Sequence, residues 1–456
     1  MPHSSSSMAW QRVWRYVGVM RSACARSATW ASRAAAKRRW IFFRCPQIRR
    51  ILSFCPDRSR GHAGVNKGQT NRRRDRMRVP AIICAACAGL AGQAAIAQEA
   101  IAPEKLTVEE RIAPGPNVLT LDQSWSGQSR INVLSTSDLK MKGNMGVGLI
   151  GQMVLAPGGE TLYTASIYAP RITYGPQEAV IHEFDIATLT HKREFTVSNK
   201  MAMAEPQPAL LQLAGDAKFL LVQNATPATS VSVADLAKGE QIAEVPTPGC
   251  WGALPVAQDL KFLSLCGDGT MQVFSFDAAG KVGEPVKSEK IFDADKDALF
   301  TNPAKMGNDW LFASFNGNLY HVAIADGKAV LVDKFAATEG VEGDWAPGGS
   351  EVIAYNAPTD TAYVLMHSGA KDGSHKDGAE EIWAVNVKAK KVLYRSNAHA
   401  ENTITVTQGA MPVIFAASEE NTLYRYEVDP EAKFAAKLAG EAEDMGNFVG
   451  LVLATE

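Results

Sequence analysis

Acidic residues are nearly absent from the first 97 positions of this 456-residue chain. That stretch holds 19 of the 47 Lys and Arg residues but only 2 of the 48 Asp and Glu residues. The remaining positions therefore carry an acidic excess that the overall net charge of -1 conceals. An acidic body repels nucleic acid and anionic lipid, and it favours cationic ligands or basic partners. The 46% content of hydrophobic residues also excludes a disordered or collagen-like protein.

Long apolar runs are absent as well, so the sequence does not favour a permanent membrane span. The run at 79–96 is short and rich in Ala and Gly, follows a basic stretch, and is flanked by the small residues Ala95 and Ala97. These features are typical of a secretory signal peptide. We predict a signal peptide over residues 77–97, cleaved between Ala97 and Gln98, and an exported mature chain.

Residues 1–76 are rich in Arg and Ser and show no sustained apolar period. They precede Met77, which is placed like the first residue of an ordinary signal peptide. We interpret 1–76 as a wrongly assigned upstream start or as a disordered basic extension. An organelle transit peptide has a similar composition, but the secretory signal that follows would then be hard to explain.

Cysteine is scarce beyond the predicted cleavage point. Of the seven cysteines, only Cys250 and Cys266 follow Ala97. Two cysteines in an exported chain predict one disulfide, and their spacing does not match a CxxC metal or redox site. Closing this loop should contribute roughly 3 kcal/mol if the bond is unstrained.

Extended stretches of helical periodicity are also missing. The chain instead shows short alternating or apolar runs broken by Gly, Asp, Asn and Pro, which predict strands and turns. Six equivalent runs recur at irregular intervals of about 40–60 residues, a period typical of β-propellers. Their anchor residues are Leu162, Phe219, Phe262, Leu311, Val352 and Ile414.

A seventh unit can be assembled from strands at the two ends of the mature chain. We therefore predict an all-β protein, with a seven-bladed β-propeller of four-stranded blades over residues 117–456. The N- and C-terminal strands would share one blade and so remove open sheet edges. Residues 98–116 form an N-terminal arm in this prediction, and a β-sandwich array is the alternative fold.

The familiar catalytic motifs are missing or incomplete. The glycines of 146–151 match G-x-G-x-x-G, but no helix is predicted after them, so a dinucleotide site is rejected. Asp293, Asp295 and Asp297 copy the start of an EF-hand loop that lacks its glycine and its final glutamate, so we interpret them as a solvated acidic turn. The sequence has neither HExxH nor GxSxG. We therefore expect no catalytic residues, no cofactor site and no metal site in this chain.

Several segments nevertheless resemble one family in their order and spacing. They are ITYG (172–175), VQNATPATS (222–230), GCWGALP (249–255), LCGDG (265–269), DWAPGG (344–349) and MHSGAKDGSHKDGAEEIW (366–383). Taken together, these segments make the chain similar to the large (heavy) subunit of the quinoprotein amine dehydrogenases. The resemblance is closest to the heavy chain of aralkylamine dehydrogenase, with methylamine dehydrogenase as a more distant relative.

This resemblance implies a periplasmic α2β2 heterotetramer in which the propeller pairs with a small, disulfide-rich light subunit. The light subunit would carry tryptophan tryptophylquinone and the catalytic base. The complex would be an oxidoreductase that converts a primary amine and water to an aldehyde and ammonia. Its electrons would pass to a copper protein such as azurin or amicyanin, and this division of labour fits a chain without catalytic residues.

The resemblance also assigns individual positions. Cys250 and Cys266 fall where these subunits place a cysteine pair, and His375-Lys376 matches a His-Lys in the family's long loop. Leu149 stands where the relatives have a phenylalanine that lines the substrate channel, which puts a preference for arylethylamines in doubt. Asn356-Ala357 replaces a His-Arg pair.

Two other functions remain open at this point. One is a free-standing periplasmic β-propeller that binds ligands or proteins without catalytic activity. The other is a propeller hydrolase with a central calcium ion, although no sequence signal selects its inward carboxylates.

Overall fold

The computed structural model describes residues 109–172, 175–257 and 259–456. The sequence predictions for 1–76 and 77–97, the cleavage site at Ala97 and Gln98, and most of the arm over 98–116 lie outside the described residues. Within them the chain is all-β, with 28 strands and two short 3-10 turns, at Pro208–Leu210 and Ser374–Lys376. None of these elements is an apolar helix of membrane-spanning length.

The strands form four-stranded antiparallel groups. Group 1 contains β28 (Val449–Ala454), β1 (Asn117–Asp122), β2 (Ser129–Ser135) and β3 (Met141–Val147). Group 2 contains β4 (Leu149–Leu155), β5 (Thr161–Tyr168), β6 (Glu178–Asp185) and β7 (Thr190–Val197). Group 3 contains β8 (Leu211–Ala214), β9 (Phe219–Asn224), β10 (Ser230–Asp235) and β11 (Glu240–Pro246).

The next two groups repeat this simple up-and-down order. Group 4 contains β12 (Cys250–Pro255), β13 (Lys261–Cys266), β14 (Met271–Ser275) and β15 (Val286–Lys287). Group 5 contains β16 (Ala304–Met306), β17 (Asp309–Ala313), β18 (Asn318–Ala325) and β19 (Lys328–Ala336).

The last eight strands belong to one continuous sheet. They are β20 (Ala346–Pro347), β21 (Ile353–Asn356), β22 (Thr361–His367), β23 (Ala379–Asn386), β24 (Lys391–Val406), β25 (Val413–Ser418), β26 (Leu423–Asp429) and β27 (Ala435–Ala442). The 16-residue strand β24 joins two parts, because its first part pairs with β23 and its last part pairs with β25. Glu401 pairs on both sides, directly after Ala400, whose φ of 58° bends the strand. We call the part before this bend group 6 and the part after it group 7.

The first and last strands lie side by side, as the sequence predicts. β1 pairs antiparallel with β28, with Leu119 opposite Leu453 and Leu121 opposite Leu451. The Asn117 amide also donates to the Thr455 hydroxyl, 338 positions later, at 2.8 Å. Both ends of the described domain are thereby fixed in group 1.

The core consists of six apolar clusters, each packed between successive groups. Leu119 and Leu162 join groups 1 and 2 in one cluster, and Ile181 and Leu220 join groups 2 and 3 in another. Further clusters join groups 3 and 4, groups 4 and 5, and groups 5 to 7. The last cluster packs Phe415 of group 7 with buried residues of group 1. Each fully buried large apolar side chain stabilises the fold by about 1.5–3 kcal/mol relative to an exposed one.

The last strand of each group is its least buried strand. All six residues of β9 are buried, whereas both residues of β15 are exposed. The strand that begins each group lies inside and the strand that ends it faces solvent, which explains the mixed polarity of β7, β11 and β27.

The predicted disulfide is present. Cys250, the first residue of β12, lies directly opposite Cys266, the last residue of β13, and the two sulfur atoms are bonded. Both residues are buried in the cluster between groups 3 and 4. The bond therefore fixes the pairing of two core strands.

Candidate functional site

Leu149, the predicted channel residue, begins β4, the inner strand of group 2. The preceding Gly148 lies so close to β5 that a Cβ atom there would be 2.5 Å from the Ile167 carbonyl oxygen. Ile150 follows with a φ of 53°, and the β4–β5 pairing shifts before Gln152. This bulge leaves the Leu149 side chain half-buried at the start of β4, against the apolar cluster between groups 2 and 3.

Several loops meet at this end of the groups, and we call the surface they form the loop face. It comprises the starts of the inner strands, the β1–β2 and β5–β6 connections, and residues 198–210 and 368–378. Direct contacts establish that these parts are neighbours. The Ile150 amide donates to the Ser124 carbonyl at 2.9 Å, and the Gly349 amide donates to the His375 carbonyl at 3.1 Å.

Residues 204–207 lie where the groups converge on the loop face. The Gln123 side-chain amide donates to the Ala204 carbonyl at 3.0 Å. The Gln152 side chain accepts from the Gln207 amide at 3.0 Å, and the Thr301 hydroxyl donates to the Gln207 side chain at 3.3 Å. One four-residue segment thus contacts groups 1 and 2 and the chain leading into group 5.

Further hydrogen bonds between groups lie at the same end. The Asn302 side chain accepts from the Ala209 amide at 3.4 Å and donates to the Ser350 carbonyl at 2.9 Å. The Ser350 amide in turn donates to the Asn402 carbonyl at 2.7 Å. These bonds link the chain before group 3, the chain before group 5 and the strands of groups 6 and 7 at the loop face.

Two carboxyl groups on this face have unusual environments. Burial raises the pKa of Glu205, and the positive charge of Lys376 from the long loop opposes that effect. Burial also raises the pKa of Glu351 to about 8, and the hydrogen bond from the Thr403 hydroxyl, at 3.0 Å from Oε2, opposes that effect. A carboxyl group of that kind is largely protonated near neutral pH.

The long loop is fixed by stacking. The His375 ring lies parallel to the Phe315 ring, with centroids 4.2 Å apart and an interplanar angle of 13°. Burial lowers the pKa of His375, and the neighbouring Lys376 charge lowers it further. The His-Lys pair singled out by the resemblance therefore places a stacked imidazole on the loop face and a lysine near enough to Glu205 to lower its pKa.

Large apolar side chains are exposed around Leu149. They are Trp125 on the β1–β2 connection, Tyr168 and Ile172 at the end of β5, and Met203 in the segment before β8. Ile172 is 61% exposed and Met203 50%. Apolar side chains grouped in this way are typical of a surface that binds another protein.

Asn356, the departure from the family's His-Arg pair, has a structural role. Its side-chain amide donates to the Thr407 and Gly409 carbonyls at 2.7 and 2.9 Å, and its Oδ1 accepts from Thr359. Asn356 is fully buried with its hydrogen bonds made. It fixes the turn between β24 and β25 and does not lie on the loop face.

The EF-hand-like aspartates do not form a solvated turn throughout. Asp297 is buried and accepts hydrogen bonds from Tyr320 at 2.6 Å and from Asn318 at 2.9 Å. Since Lys334 also contacts this carboxylate at 3.3 Å, the charge is already paired within the protein. The interpretation of Asp297 as solvated was wrong, because strand β18 folds over it.

Sequence reasoning missed the carboxyl groups of the loop face and a cluster on the outer strands of group 2. Within the described residues, His182, His191 and Glu194 form the one set of three side chains with metal-ligand spacing. No sequence feature distinguished Glu351 and Glu205, because single acidic residues in turns look like ordinary surface positions.

A family model described as methylamine dehydrogenase heavy chain (MADH) matches residues 125–447. The methylamine dehydrogenase heavy chain of Methylobacillus flagellatus is 25% identical over 305 residues, which cover 66% of this chain and 74% of that protein. The heavy chain of Methylophilus methylotrophus is 25% identical over 359 residues, covering 75% and 86%.

Solved structures align at lower similarity. Apo AztD from Citrobacter koseri has a TM-score of 0.43 and 10% identity, covering 75% of this chain and 98% of that one. The WD40 β-propeller domain of Doa1 has a TM-score of 0.43 and 13% identity, covering 71% and 94%. The family model, in contrast, spans well over half of the sequence and includes the loop face around Leu149. This chain therefore belongs to the methylamine dehydrogenase heavy chain family.

Proposed function

We propose that this chain is the large subunit of a periplasmic amine dehydrogenase, with the catalytic residues on a light subunit that docks on the loop face. Family membership is the observation that carries this proposal. The exposed apolar residues around Leu149 support it, since they provide a surface for a partner protein. The full assembly in this proposal is an α2β2 heterotetramer.

The seven groups of strands are, in this proposal, the blades of a seven-bladed β-propeller. Its support is the order of the apolar clusters, which pack each group against the next and group 7 against group 1. Pairing of β1 with β28 would close the ring within one blade. Such an arrangement places the starts of the inner strands, including Leu149, around one axis.

The proposed reaction converts a primary amine and water to an aldehyde and ammonia, with two electrons leaving to an azurin- or amicyanin-like copper protein. Tryptophan tryptophylquinone on the light subunit would supply the electron-accepting chemistry. This chain would provide the docking surface, and Leu149 would form part of the wall past which the substrate enters. Leucine in place of an aromatic residue leaves more room in the channel. The other residues of the channel wall would then set the preference between aromatic and aliphatic amines.

The acidic surface suits this role. Primary amines are cations near neutral pH, and an acidic body raises their local concentration. The same charge attracts a basic copper protein at low ionic strength.

Isolation of the protein from its native host tests the proposal. We expect a mature chain that begins near Gln98, bound to a small subunit whose visible quinone band bleaches on addition of phenylethylamine or methylamine. Amine-dependent dye reduction should accompany the bleaching. A lone, colourless and inactive chain would contradict the proposal and would instead support a free-standing propeller that acts as a binding protein.

A further inference from the structure

We propose that His182, His191 and Glu194 form a binding site for a divalent transition metal, with Zn²⁺ as the best-suited ion, on the outer strands of group 2. The site borders the loop face at Tyr168 and takes no part in the proposed amine chemistry. It rests on the placement of two imidazoles and one carboxylate by the β6–β7 hairpin.

Strand register brings the three residues together. His182 on β6 lies directly opposite Glu194 on β7, and Phe184 lies directly opposite His191. His182 and Phe184 are two apart on β6 and so point to the same face. The register shift between Glu183 and Phe184 brings His191, three residues before Glu194 on β7, to that same face. The edge-on approach of the two imidazole rings, with centroids 4.9 Å apart, agrees with this register.

The distances suit a small metal ion. Glu194 Oε2 is 3.2 Å from His182 Nε2 and 3.8 Å from His191 Nε2. The three ligand atoms all lie within 4.8 Å of one another. Tetrahedral zinc with bonds of about 2.0–2.1 Å requires ligand atoms roughly 3.4 Å apart. His191 has a side chain that is 41% exposed, so it can move inward by the small amount that is needed.

The burial of His182 is the second observation. Its side chain is 9% exposed, and its Nδ1 atom has no hydrogen-bond partner among the described residues. The other ring nitrogen, Nε2, faces the cluster and lies 3.2 Å from Glu194 Oε2.

The donor set selects the ion. Two imidazoles and one carboxylate suit Zn²⁺ and its transition-metal neighbours and do not suit Ca²⁺ or Mg²⁺, which prefer oxygen ligands throughout. With three protein ligands, a fourth position remains for water or an external ligand. Aromatic rings of Tyr168 and Phe184 flank His182, with centroids 5.6 and 5.8 Å away, and they shield the inner side of the site.

Calorimetric titration of the tag-free, metal-depleted protein with ZnCl2 tests the site. We expect one Zn²⁺ per chain, with affinity reduced at least about 100-fold in His191→Ala and in Glu194→Gln, since loss of a residue that only hydrogen-bonds a metal ligand already weakens metal binding 10- to 100-fold. Both residues are on the exposed strand β7, so the variants should keep the wild-type Tm without metal. His399→Ala is the matched control, because the His399 side chain is also 41% exposed.

Cobalt provides a second readout. Co²⁺ bound to the wild-type protein should show the intense visible bands of a tetrahedral site, and these bands should be absent from His191→Ala. Equal zinc affinity in wild type, His191→Ala and Glu194→Gln would overturn the proposal, as would a failure of the wild type to bind Zn²⁺. Neither measurement uses amine oxidation, so the result is independent of the proposed enzymatic function.

Discussion

The Pro206 ring lies directly against the backbone of Gly450 on β28. A Cβ atom at Gly450 would be 2.9 Å from Pro206 Cδ and 3.1 Å from the Phe448 ring. The segment that leads into group 3 is therefore seated on the inner strand of group 1. Glycine is required at position 450 because any side chain there would push Pro206 away from β28.

Gly450→Ala should destabilise the protein by about 1–3 kcal/mol, the usual cost of inserting a methyl group into a packed site. The expected readout is a lower midpoint in chemical denaturation with an unchanged slope. Gly409→Ala is the control, since a Cβ atom there meets nothing closer than 3.6 Å. Equal stability of the two variants would show that residues 204–207 shift freely.

Leu149→Phe should change the amine preference of the assembled enzyme, because an aromatic ring would narrow the wall at the start of β4. We expect the ratio of kcat/KM for phenylethylamine and methylamine to change by about tenfold, the scale of shape discrimination in an apolar pocket. Leu155→Phe, at the other end of the same strand and also half-buried, is the control. An unchanged ratio in Leu149→Phe would place the substrate path elsewhere.

Glu351 should make stability depend on pH. Its folded-state pKa of about 8 exceeds the ordinary 4.5, so the native state holds a proton that the unfolded chain releases. The stabilisation is complete below about pH 4.5 and is lost as the pH rises to 8. The free energy of unfolding of the wild type should therefore fall between pH 5 and pH 8. In Glu351→Gln this fall should be smaller, by on the order of 1–3 kcal/mol.

Denaturation curves at pH 5 and pH 8 measure this difference. Glutamine can still accept the hydrogen bond of Thr403, so the variant should fold. Glu420→Gln removes an exposed carboxylate and serves as the control. Parallel pH profiles for wild type and Glu351→Gln would contradict the expected protonation.

Removal of the disulfide in a Cys250→Ala, Cys266→Ala double variant should lower the free energy of unfolding by about 3 kcal/mol, because the unfolded chain regains loop entropy. Alanine avoids placing a hydroxyl in the apolar cluster between groups 3 and 4. Denaturation of the wild type with and without a reductant gives an independent estimate. Stability that is indifferent to both treatments would show that the core strands alone set the pairing of β12 and β13.

The strand content was predictable because it depends on local alternation, and the pairing of β1 with β28 was predictable because it removes open sheet edges. The runs around Leu162 and Phe262 have the apolar pattern of buried strands, and the structure confirms strands at both. The continuous strand β24 was not predictable, since its bend at Ala400 depends on partners on both sides.

Site features were harder to predict than strands. The Cys250–Cys266 disulfide could be inferred by counting, because two cysteines have one possible pairing. The contact between His182 and Glu194 depends on the register of a hairpin, which a one-residue slip would destroy. The burial of Glu351 depends on Thr403, more than 50 residues away.

The pairing of β1 with β28 imposes an order on biosynthesis. β1 emerges from the ribosome first among the described strands, but its partner follows only after more than 300 further residues. Until then one edge of β1 has no native neighbour and is open to incorrect pairing with other strands. That edge of β1 therefore stays exposed until β28 has been synthesised.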